Sequence, residues 1–315
     1  MRKLMGLFDL HIHTSYSADG NLSPGEIVAM AKSRGLSAIA VTDHNSINGV
    51  KEAVHAGYAA GIRVIPGIEL DCTFLGSDFH VLGYGINPDH PAFFVVNMDI
   101  SRQEFNAARE RIAALRNLGI PVNEKEAMSR AVHGCFVTGE LIAEIVLGKP
   151  EAASNSLLQP YLPGGSRSDN PYVNFYWDFC SQGKEAHIPI SYISMQKALE
   201  IIKEAGGVAV LAHPGQNLSG KEELLEYIIE LGIDGIECYS TYHNREKSDF
   251  YLEIAKRYGL VVTGGSDFHG KTKPSVVMGE FGFPEADTGL LDKLDTALAM
   301  YSAREAGQNL RAPAV

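Results

Sequence analysis

The stretch that decides the fold is Phe8-Asp9-Leu10-His11-Ile12-His13-Thr14-Ser15-Tyr16-Ser17-Ala18-Asp19-Gly20. Its first five residues predict a short apolar strand, and residues two apart on a strand face the same side. His11 and His13 should therefore point together from the strand end, where they would provide half of a metal site. Asp19 follows in a glycine-containing turn and could place a carboxylate beside them. The alternative is a pair of buried histidines that bond to the backbone.

The residues after this stretch alternate between helix and strand signals. Ser23, Pro24 and Glu26 mark a helix start, with a capping serine, a proline in the first helical turn and the glutamate of a capping box. Strand, helix, strand, helix, strand is the order typical of parallel β/α units. The predicted elements are helix 24–34, strand 38–42, helix 47–60, strand 63–70 and a hairpin arm over 79–84 that follows a turn at 76–78.

The alternation stops at 87 and resumes at 192. We predict a mostly helical insertion over 87–191, with a long helix at 93–118, a shorter one at 138–147 and a Pro- and Gly-rich loop at 160–174 that caps the site. The alternative is a packing subdomain with no substrate contact. Residues 1–86 and 192–315 would form the β/α frame. Its later predicted elements are a helix ending at 206–207, strand 208–212, a helix to 231, strand 234–238, helix 244–258, strand 260–264 and helix 288–303.

Histidines and carboxylates recur where the predicted strands end. In parallel β/α folds the active site lies at the carboxyl ends of the strands, so these side chains should meet. Nine candidate ligands supply nitrogen or oxygen atoms, and none supplies a thiolate. This number is larger than the four ligands of one tetrahedral site, so it suits two or three ions. The mixture of imidazole and carboxylate ligands fits Mn, Fe or Zn better than Ca or a site with Mg alone. Mg stays an alternative. The candidate ligands are His11, His13, Asp19, His44, Glu69, His80, His213, Asp267 and His269.

The composition restricts the partners. The 315 residues carry 27 basic and 38 acidic side chains, a formal charge of −11, which argues against stable binding of a duplex nucleic-acid backbone. A phosphate ligand stays open because bound cations invert the local field. Four cysteines without a Cys-x-x-Cys pair predict reduced thiols in a cytoplasmic protein. No apolar run has membrane-spanning length, and the first residues reach Asp9 too soon for a signal peptide.

Five stretches together resemble the signature motifs of the PHP (polymerase and histidinol phosphatase) superfamily. The resemblance implies a distorted (β/α)7 TIM-like barrel with up to three metal ions. It places all nine candidates on the family's ligand positions, with Glu69 as a bridge between ions. The inserted helical domain is similar to that of stand-alone PHP phosphoesterases, except that Val132–Thr138 stands where those enzymes have a basic Arg-x-His-type segment. The stretches are Phe8–Gly20, Thr42–His44, Glu69 with His80, Leu211–Pro214 and Gly265–Gly270.

The resemblance and the ligand chemistry lead to one functional hypothesis. We expect a metal-dependent phosphoesterase that hydrolyses a phosphomonoester by metal-hydroxide attack, with Glu69, His213 and Asp267 as catalytic residues. The substrate would be a nucleoside 3′,5′-bisphosphate or a short 5′-phosphorylated oligonucleotide. His213 or a metal-bound water would protonate the leaving group. The alternatives are a histidinol-phosphate-type or other sugar-phosphate phosphatase, a carbon–nitrogen hydrolase, and a non-catalytic metal-binding regulatory module.

Weaker signals concern the rest of the substrate. Cations in predicted loops near the mouth of the site could hold a second phosphate, although each alone is typical of a solvated charge. Trp177 could stack a base or belong to the core of the insertion. Gly215–Glu222 nearly matches a phosphate-binding loop, but Glu222 replaces the Ser or Thr that binds Mg²⁺, so a loop before a capped helix is the better interpretation. The second-phosphate candidates are Arg167, Lys184, His243, Arg245 and Lys271.

Two acidic residues at strand ends do not fit the ligand pattern. Asp43 lies beside His44 and should face the opposite way along the strand, so we expect it to support the site or bond to the backbone. Glu237 ends a strand without a ligand partner, and we expect a structural role for it.

Overall fold

A nearly closed, barrel-like sheet of seven strands forms the frame of the protein. The computed structural model describes residues 7–130, 136–282 and 289–309. Within these ranges an eighth strand, β5, pairs with β3 outside the main path. The strands are β1 (Leu7–Ile12), β2 (Leu36–Val41), β3 (Arg63–Phe74), β4 (Ser77–Tyr84), β5 (Ile193–Ser194), β6 (Val208–Leu211), β7 (Gly235–Ser240) and β8 (Val261–Gly265).

The sheet follows the order β1-β2-β3-β4-β6-β7-β8, and β4 runs antiparallel to both of its neighbours. Backbone bonds then connect the two ends of the path: His13 N–H donates to the Phe268 carbonyl at 2.9 Å, and Phe268 N–H to the His11 carbonyl at 3.3 Å. Gly265 allows this approach, since a Cβ there would lie 2.3 Å from the His11 Cβ. The predicted distorted (β/α)7 barrel is confirmed, and the reversed strand is its distortion.

The helices begin and end close to the predicted positions. Ser23 and Glu26 form the predicted capping box, and helix α1 ends at Ser33. The short helix α4 was not predicted, and α6 lies mostly in the predicted loop 160–174. The helix predicted to end at 231 is divided into α8 and α9, and α9 lacks the predicted side-chain cap. The helices are α1 (Pro24–Ser33), α2 (Val50–Ala60), α3 (Pro91–Asn117), α4 (Glu124–Arg130), α5 (Gly139–Leu147), α6 (Pro171–Phe175), α7 (Met195–Glu204), α8 (Pro214–Asn217), α9 (Leu224–Glu230), α10 (Arg245–Tyr258) and α11 (Leu290–Asn309).

The β3–β4 hairpin differs in detail from the prediction. Its turn consists of Leu75 and Gly76, both with positive φ, and Ser77 and Asp78 already belong to β4. Strand β3 also runs to Phe74, because its far half pairs with β4 and with the short strand β5. This longer hairpin carries His80 to the site.

The hydrophobic side chains of the described residues form three clusters, of which the smallest packs α1 against β1 and β2. The barrel cluster fills the space between the sheet and its helices and includes Phe93 and Ile100 from the first half of α3. A second cluster is built from buried residues between Ala108 and Ala186, among them Ile112 and Phe175. The second cluster lies inside the predicted insertion, whose bounds of 87–191 stay a prediction, and α3 contributes both to this cluster and to the barrel cluster. The segment 132–138, where the sequence departs from the family pattern, is described only from 136 onward, because 132–135 lie outside the described residues.

The composition-based expectations concern membranes and thiols. Among the described residues, no helix combines the length and apolarity that crossing a membrane requires. Cys72, Cys180 and Cys238 are free and buried, and Cys135 lies outside the described ranges.

Candidate metal centre

The structure brings all nine predicted ligands into one cluster. They form three groups, and within each group the ligand atoms lie within 4.8 Å of one another. Glu69 and His44 each belong to two groups, so the three groups are linked. The groups are His13, Asp19, His44 and His269; His11, Glu69, His213 and Asp267; and His44, Glu69 and His80.

Glu69 lies at the middle of the cluster and is fully buried. Its Oε1 is 3.0 Å from His80 Nδ1 and 3.1 Å from His213 Nε2. Its Oε2 is 3.1 Å from both His11 Nε2 and His13 Nε2. A carboxylate whose two oxygens face different imidazoles has the arrangement that a bridge between two ions requires.

Two aspartates complete the set. Asp267 Oδ1 is 3.1 Å from His13 Nε2 and 3.3 Å from His11 Nε2, and Asp19 Oδ2 is 3.0 Å from His269 Nε2. The Nε2 atoms of His13 and His269 are buried, and no described residue gives either one a hydrogen bond of proper geometry. Buried polar atoms rarely stay unpaired, and a cation would supply the partner. The residues present therefore fit a metal site.

The outer ring nitrogens of five histidines are each fixed by a neighbour, which leaves Nε2 facing the cluster. Metal-binding histidines usually show this pattern, because the outer bond sets the tautomer and the ring orientation. The pairs are His11 Nδ1 with Glu237 Oε1 (3.0 Å), His13 Nδ1 with Ser17 Oγ (3.1 Å), His44 Nδ1 with Asp71 Oδ1 (3.0 Å), His213 Nδ1 with Asn217 Oδ1 (2.9 Å) and His269 Nδ1 with the Asp267 carbonyl (2.8 Å).

Four of these partners, Ser17, Asp71, Asn217 and Glu237, were not recognised in the sequence as supporting residues, and two of the four are acidic. Glu237 bonds to His11, and its other oxygen accepts the His213 backbone N–H at 2.8 Å, so its structural role serves the site directly. Asp71 was missed, although it lies two residues beyond Glu69 on the same strand and could have been found from that spacing. Asp43 accepts bonds from the Thr14 backbone N–H and hydroxyl, which confirms the predicted backbone bonding.

Burial and close charges set the protonation of the cluster. Burial and the nearby His269 lower the pKa of His13 to about 4, so this imidazole is neutral at neutral pH, as metal binding requires. Burial raises the pKa of Glu69, but the imidazoles of His11, His44 and His80 outweigh it and hold that pKa well below its usual value. The central carboxylate is therefore ionised.

Strained backbone occurs at three positions of the site. Asn45, His213 and Asp267 have φ values of 51°, 24° and 57°, in the left-handed region that non-glycine residues avoid. Two of the three are candidate ligands, and the third follows His44. Such strain persists where the surrounding structure fixes a functional geometry.

A cavity of about 420 Å³ opens above the cluster. Its floor includes His44, His80 and His213, and the opposite wall comes from the insertion, including Arg111, Glu140 and Trp177. Trp177 is 42% exposed, whereas Phe175, two residues earlier, is fully buried in the second hydrophobic cluster. Residues from the range of the predicted insertion therefore line the cavity, and its role as a cap stays a prediction.

None of the five second-phosphate candidates lines this cavity. Arg167 makes two bonds to Asp178, at 2.8 and 2.9 Å, and faces a neighbouring groove. Lys271 pairs with Glu144 at 2.9 Å. Their charges are compensated by carboxylates of the insertion.

The remaining three candidates lie elsewhere. His243 Nε2 accepts the Gly215 N–H and Nδ1 donates to the Cys238 carbonyl, each at 2.9 Å, so the ring braces the backbone behind His213. The Arg245 side chain is 95% exposed near Asp249, and Lys184 is exposed on the insertion.

Comparison with known proteins agrees with the geometry. The family model of the PHP domain matches residues 9–122. The 3′,5′-nucleoside bisphosphate phosphatase of Chromobacterium violaceum is 30% identical over 269 residues, which cover 84% of this chain and 88% of that protein. The chain belongs to the PHP family. This PHP protein is also 30% identical over 268 residues to the phosphoribosyl 1,2-cyclic phosphate 1,2-diphosphodiesterase of Eggerthella lenta, covering 84% of this chain and 94% of that one.

Solved structures show the same fold. A Chromobacterium violaceum protein described as an amidohydrolase, with bound sulfate and no metal, has a TM-score of 0.74 at 26% identity and covers 92% of this chain and 96% of that one. A protein assigned as a metal-dependent phosphoesterase from Bifidobacterium adolescentis has a TM-score of 0.70 at 26% identity, with coverages of 91% and 96%. This PHP protein is a hydrolase, a metal-dependent phosphoesterase, as the sequence predicted.

Proposed function

We propose that this PHP protein removes a phosphate from a small nucleotide-like phosphomonoester, such as a nucleoside 3′,5′-bisphosphate or a short 5′-phosphorylated oligonucleotide. The observation that carries the proposal is the set of three linked ligand groups at the floor of a nucleotide-sized cavity. Relatives named as a bisphosphate phosphatase and as a 5′-3′ exoribonuclease of Haemophilus influenzae support this substrate class.

The nine clustered residues would hold two or three divalent ions, with Mn, Fe or Zn preferred and Mg as an alternative. Ions held there would act as Lewis acids, lowering the pKa of water and offsetting the charge of the phosphate. Glu69 and Asp267 provide the buried negative charge that makes this concentration of cations favourable.

The side chains around the cluster fix its geometry before substrate binds. Asp71 and Glu237 hold the rings of His44 and His11 with Nε2 toward the centre. His213 faces Glu69 through Nε2 and Asn217 through Nδ1, which favours a role as ligand over a role as proton donor to the leaving group. These groups orient the site without rearrangement during the reaction.

The insertion wall suits the organic part of a nucleotide. Trp177 presents part of its ring to the cavity, near Tyr176 and Tyr192. Aromatic side chains stack on bases without sequence preference. The formal charge of −11 disfavours a duplex backbone, so a small or single-stranded substrate is the better match.

We also propose a cytoplasmic location, which rests on the free and buried thiols of Cys72, Cys180 and Cys238. Thiols stay reduced in that compartment. Alkylation of the protein in intact cells, followed by mass spectrometry, would test the redox state of the cysteines.

Phosphate release from a substrate panel tests the proposed reaction. The protein would be loaded with Mn²⁺ and assayed with adenosine 3′,5′-bisphosphate, AMP, histidinol phosphate and a short 5′-phosphorylated RNA. We expect turnover of the bisphosphate or the RNA, and loss of turnover in the His11→Ala, Glu69→Ala and Asp267→Ala variants with a retained circular dichroism spectrum.

Other outcomes would select other functions. Turnover of histidinol phosphate alone would favour the sugar-phosphate or histidinol-phosphate alternative. Release of an amine and not of phosphate from suitable substrates would favour a carbon–nitrogen hydrolase. Full activity in all three alanine variants, or no phosphate release with the metal content confirmed, would contradict the proposal and leave the non-catalytic metal-binding module.

A further inference from the structure

The cations on the wall of the central cavity differ in how they are paired. Arg111 donates to Glu104 at 3.0 Å and to the Val137 carbonyl at 2.7 Å. Lys273 contacts Asp267 and the Tyr242 hydroxyl. Lys221 also lines the cavity, but no described residue forms an ion pair with it. Among the described residues, Lys221 is therefore the cavity cation with an uncompensated charge.

A hydrogen bond to Ser77 holds the Lys221 ammonium in the cavity that His44, His80 and His213 also line. Its Nζ donates to Ser77 Oγ at 2.9 Å, and Ser77 begins the strand that carries His80. An ammonium has three N–H groups, and this bond uses one of them. The other two remain for a ligand in the cavity.

The chain after His213 explains how Lys221 reaches this place. The single turn α8 ends against Leu218, which is fully buried and anchors the segment. The Lys221 backbone N–H then donates to the Leu218 carbonyl at 2.7 Å, and Gly220 takes the positive φ of 75° that this turn needs. The stretch that nearly matched a phosphate-binding loop is thus an ordered turn between a candidate metal ligand and a lysine.

Neutral polar side chains and one carboxylate, that of Asp78 beside Ser77, line the cavity with the lysine. Gln216, Asn217 and Ser219 line the cavity on the lysine side. On the insertion side, Glu104 and Glu140 line the cavity beside Arg111, whose charge Glu104 already pairs at 3.0 Å. An anionic group in the cavity would be attracted to the Lys221 ammonium, which has no ion-pair partner among the described residues.

We propose that Lys221 binds the phosphate that the substrate retains, so that the substrate carries a second anionic group in addition to the phosphate that is cleaved. This inference rests on the proposed phosphomonoesterase function. It moves the second-phosphate site from the predicted loop cations to the turn that follows His213. Lys221 is thus a specificity-determining residue.

Kinetics of the Lys221→Met variant test the inference. Methionine keeps much of the volume and removes the charge. Because a charge-assisted hydrogen bond would be lost, we expect kcat/KM for adenosine 3′,5′-bisphosphate to fall about 10- to 100-fold more than that for p-nitrophenyl phosphate, which has one phosphate. Lys221→Arg should recover part of the loss. Lys256→Met, on an exposed face of α10, is the matched control.

A binding measurement separates this inference from the proposed reaction. Calorimetry with metal-free protein measures the affinity for adenosine 3′,5′-bisphosphate without turnover. We expect weaker binding by Lys221→Met than by the wild type and the Lys256→Met control. Equal binding by all three, no binding by the wild type, or an equal kinetic loss for both esters would overturn the role of Lys221. Absence of phosphate release with intact Lys221-dependent binding would overturn the reaction only.

Discussion

Replacing Glu237 with glutamine should weaken metal binding although Glu237 is not itself a candidate ligand. The carboxylate is fully buried, and its oxygens accept from two donors: His11 Nδ1 at 3.0 Å and the His213 backbone N–H at 2.8 Å. An amide has one acceptor oxygen and one NH₂ group, so the glutamine side chain of Glu237→Gln satisfies only one of the two donors.

Either orientation of the amide harms the site. If its oxygen accepts from His213, its NH₂ faces His11 Nδ1 and favours the tautomer with the proton on Nε2, the atom that faces Glu69. If its oxygen accepts from His11, the buried His213 N–H meets an NH₂ group, which costs about 1–3 kcal/mol. Loss of such an orienting partner typically lowers metal affinity about 10- to 100-fold.

Competition with a chromophoric chelator at pH 7.5 measures this loss for Mn²⁺ or Zn²⁺. We expect Glu237→Gln to bind the metal about 10- to 100-fold more weakly than the wild type, with an unchanged circular dichroism spectrum. Glu253→Gln, the same change at an exposed position of α10, is the control. An affinity within twofold of the wild type would refute the assignment of Glu237 as the residue that orients His11.

Three further predictions concern stability of the metal-free protein, measured by urea unfolding. Ser23→Ala removes the α1 cap and should cost about 1 kcal/mol; no loss would contradict the cap's contribution. Leu75→Asn should stabilise by about 0.5–1 kcal/mol, because Leu75 is exposed with φ of 47°, and a loss would argue against strain there. Burial raises the pKa of Glu140 to about 7 from 4.5, so the folded state holds this proton more tightly than the unfolded state does. The contribution of Glu140 to the free energy of unfolding should therefore fall as the pH rises from 4.5 to 7. Glu140→Gln should lessen that fall, and an identical pH profile would count against the shift.

The candidate ligands were predictable because the chemistry depends on short sequence spacings. His11 and His13, or Asp267 and His269, need only an extended backbone to face one way. Parallel strands bring their ends to one edge of the sheet, so nine residues far apart in sequence were expected to converge. The capping box of α1 was equally local, since both of its partners lie within three residues.

The supporting residues and the substrate contacts were less accessible. Glu237 ends a strand without a recognisable pattern, and its role exists only because β7 places it beside His11. The loop cations Arg167 and Lys271 were plausible until the fold paired them with Asp178 and Glu144. Whether a cation is free for a ligand depends on its neighbours in space, which residue type and loop position do not reveal.

The sequence by itself determined the barrel and the metal-binding character, because strand order, ligand spacing and capping are encoded over short distances. Only the tertiary structure decided which cations are neutralised and which, as with Lys221 in the cavity, have no ion-pair partner within the described ranges. The physical reason is that charge compensation and burial depend on contacts between distant segments. The candidate metal ligands follow from local pattern, and the proposed contact of Lys221 with substrate follows from packing.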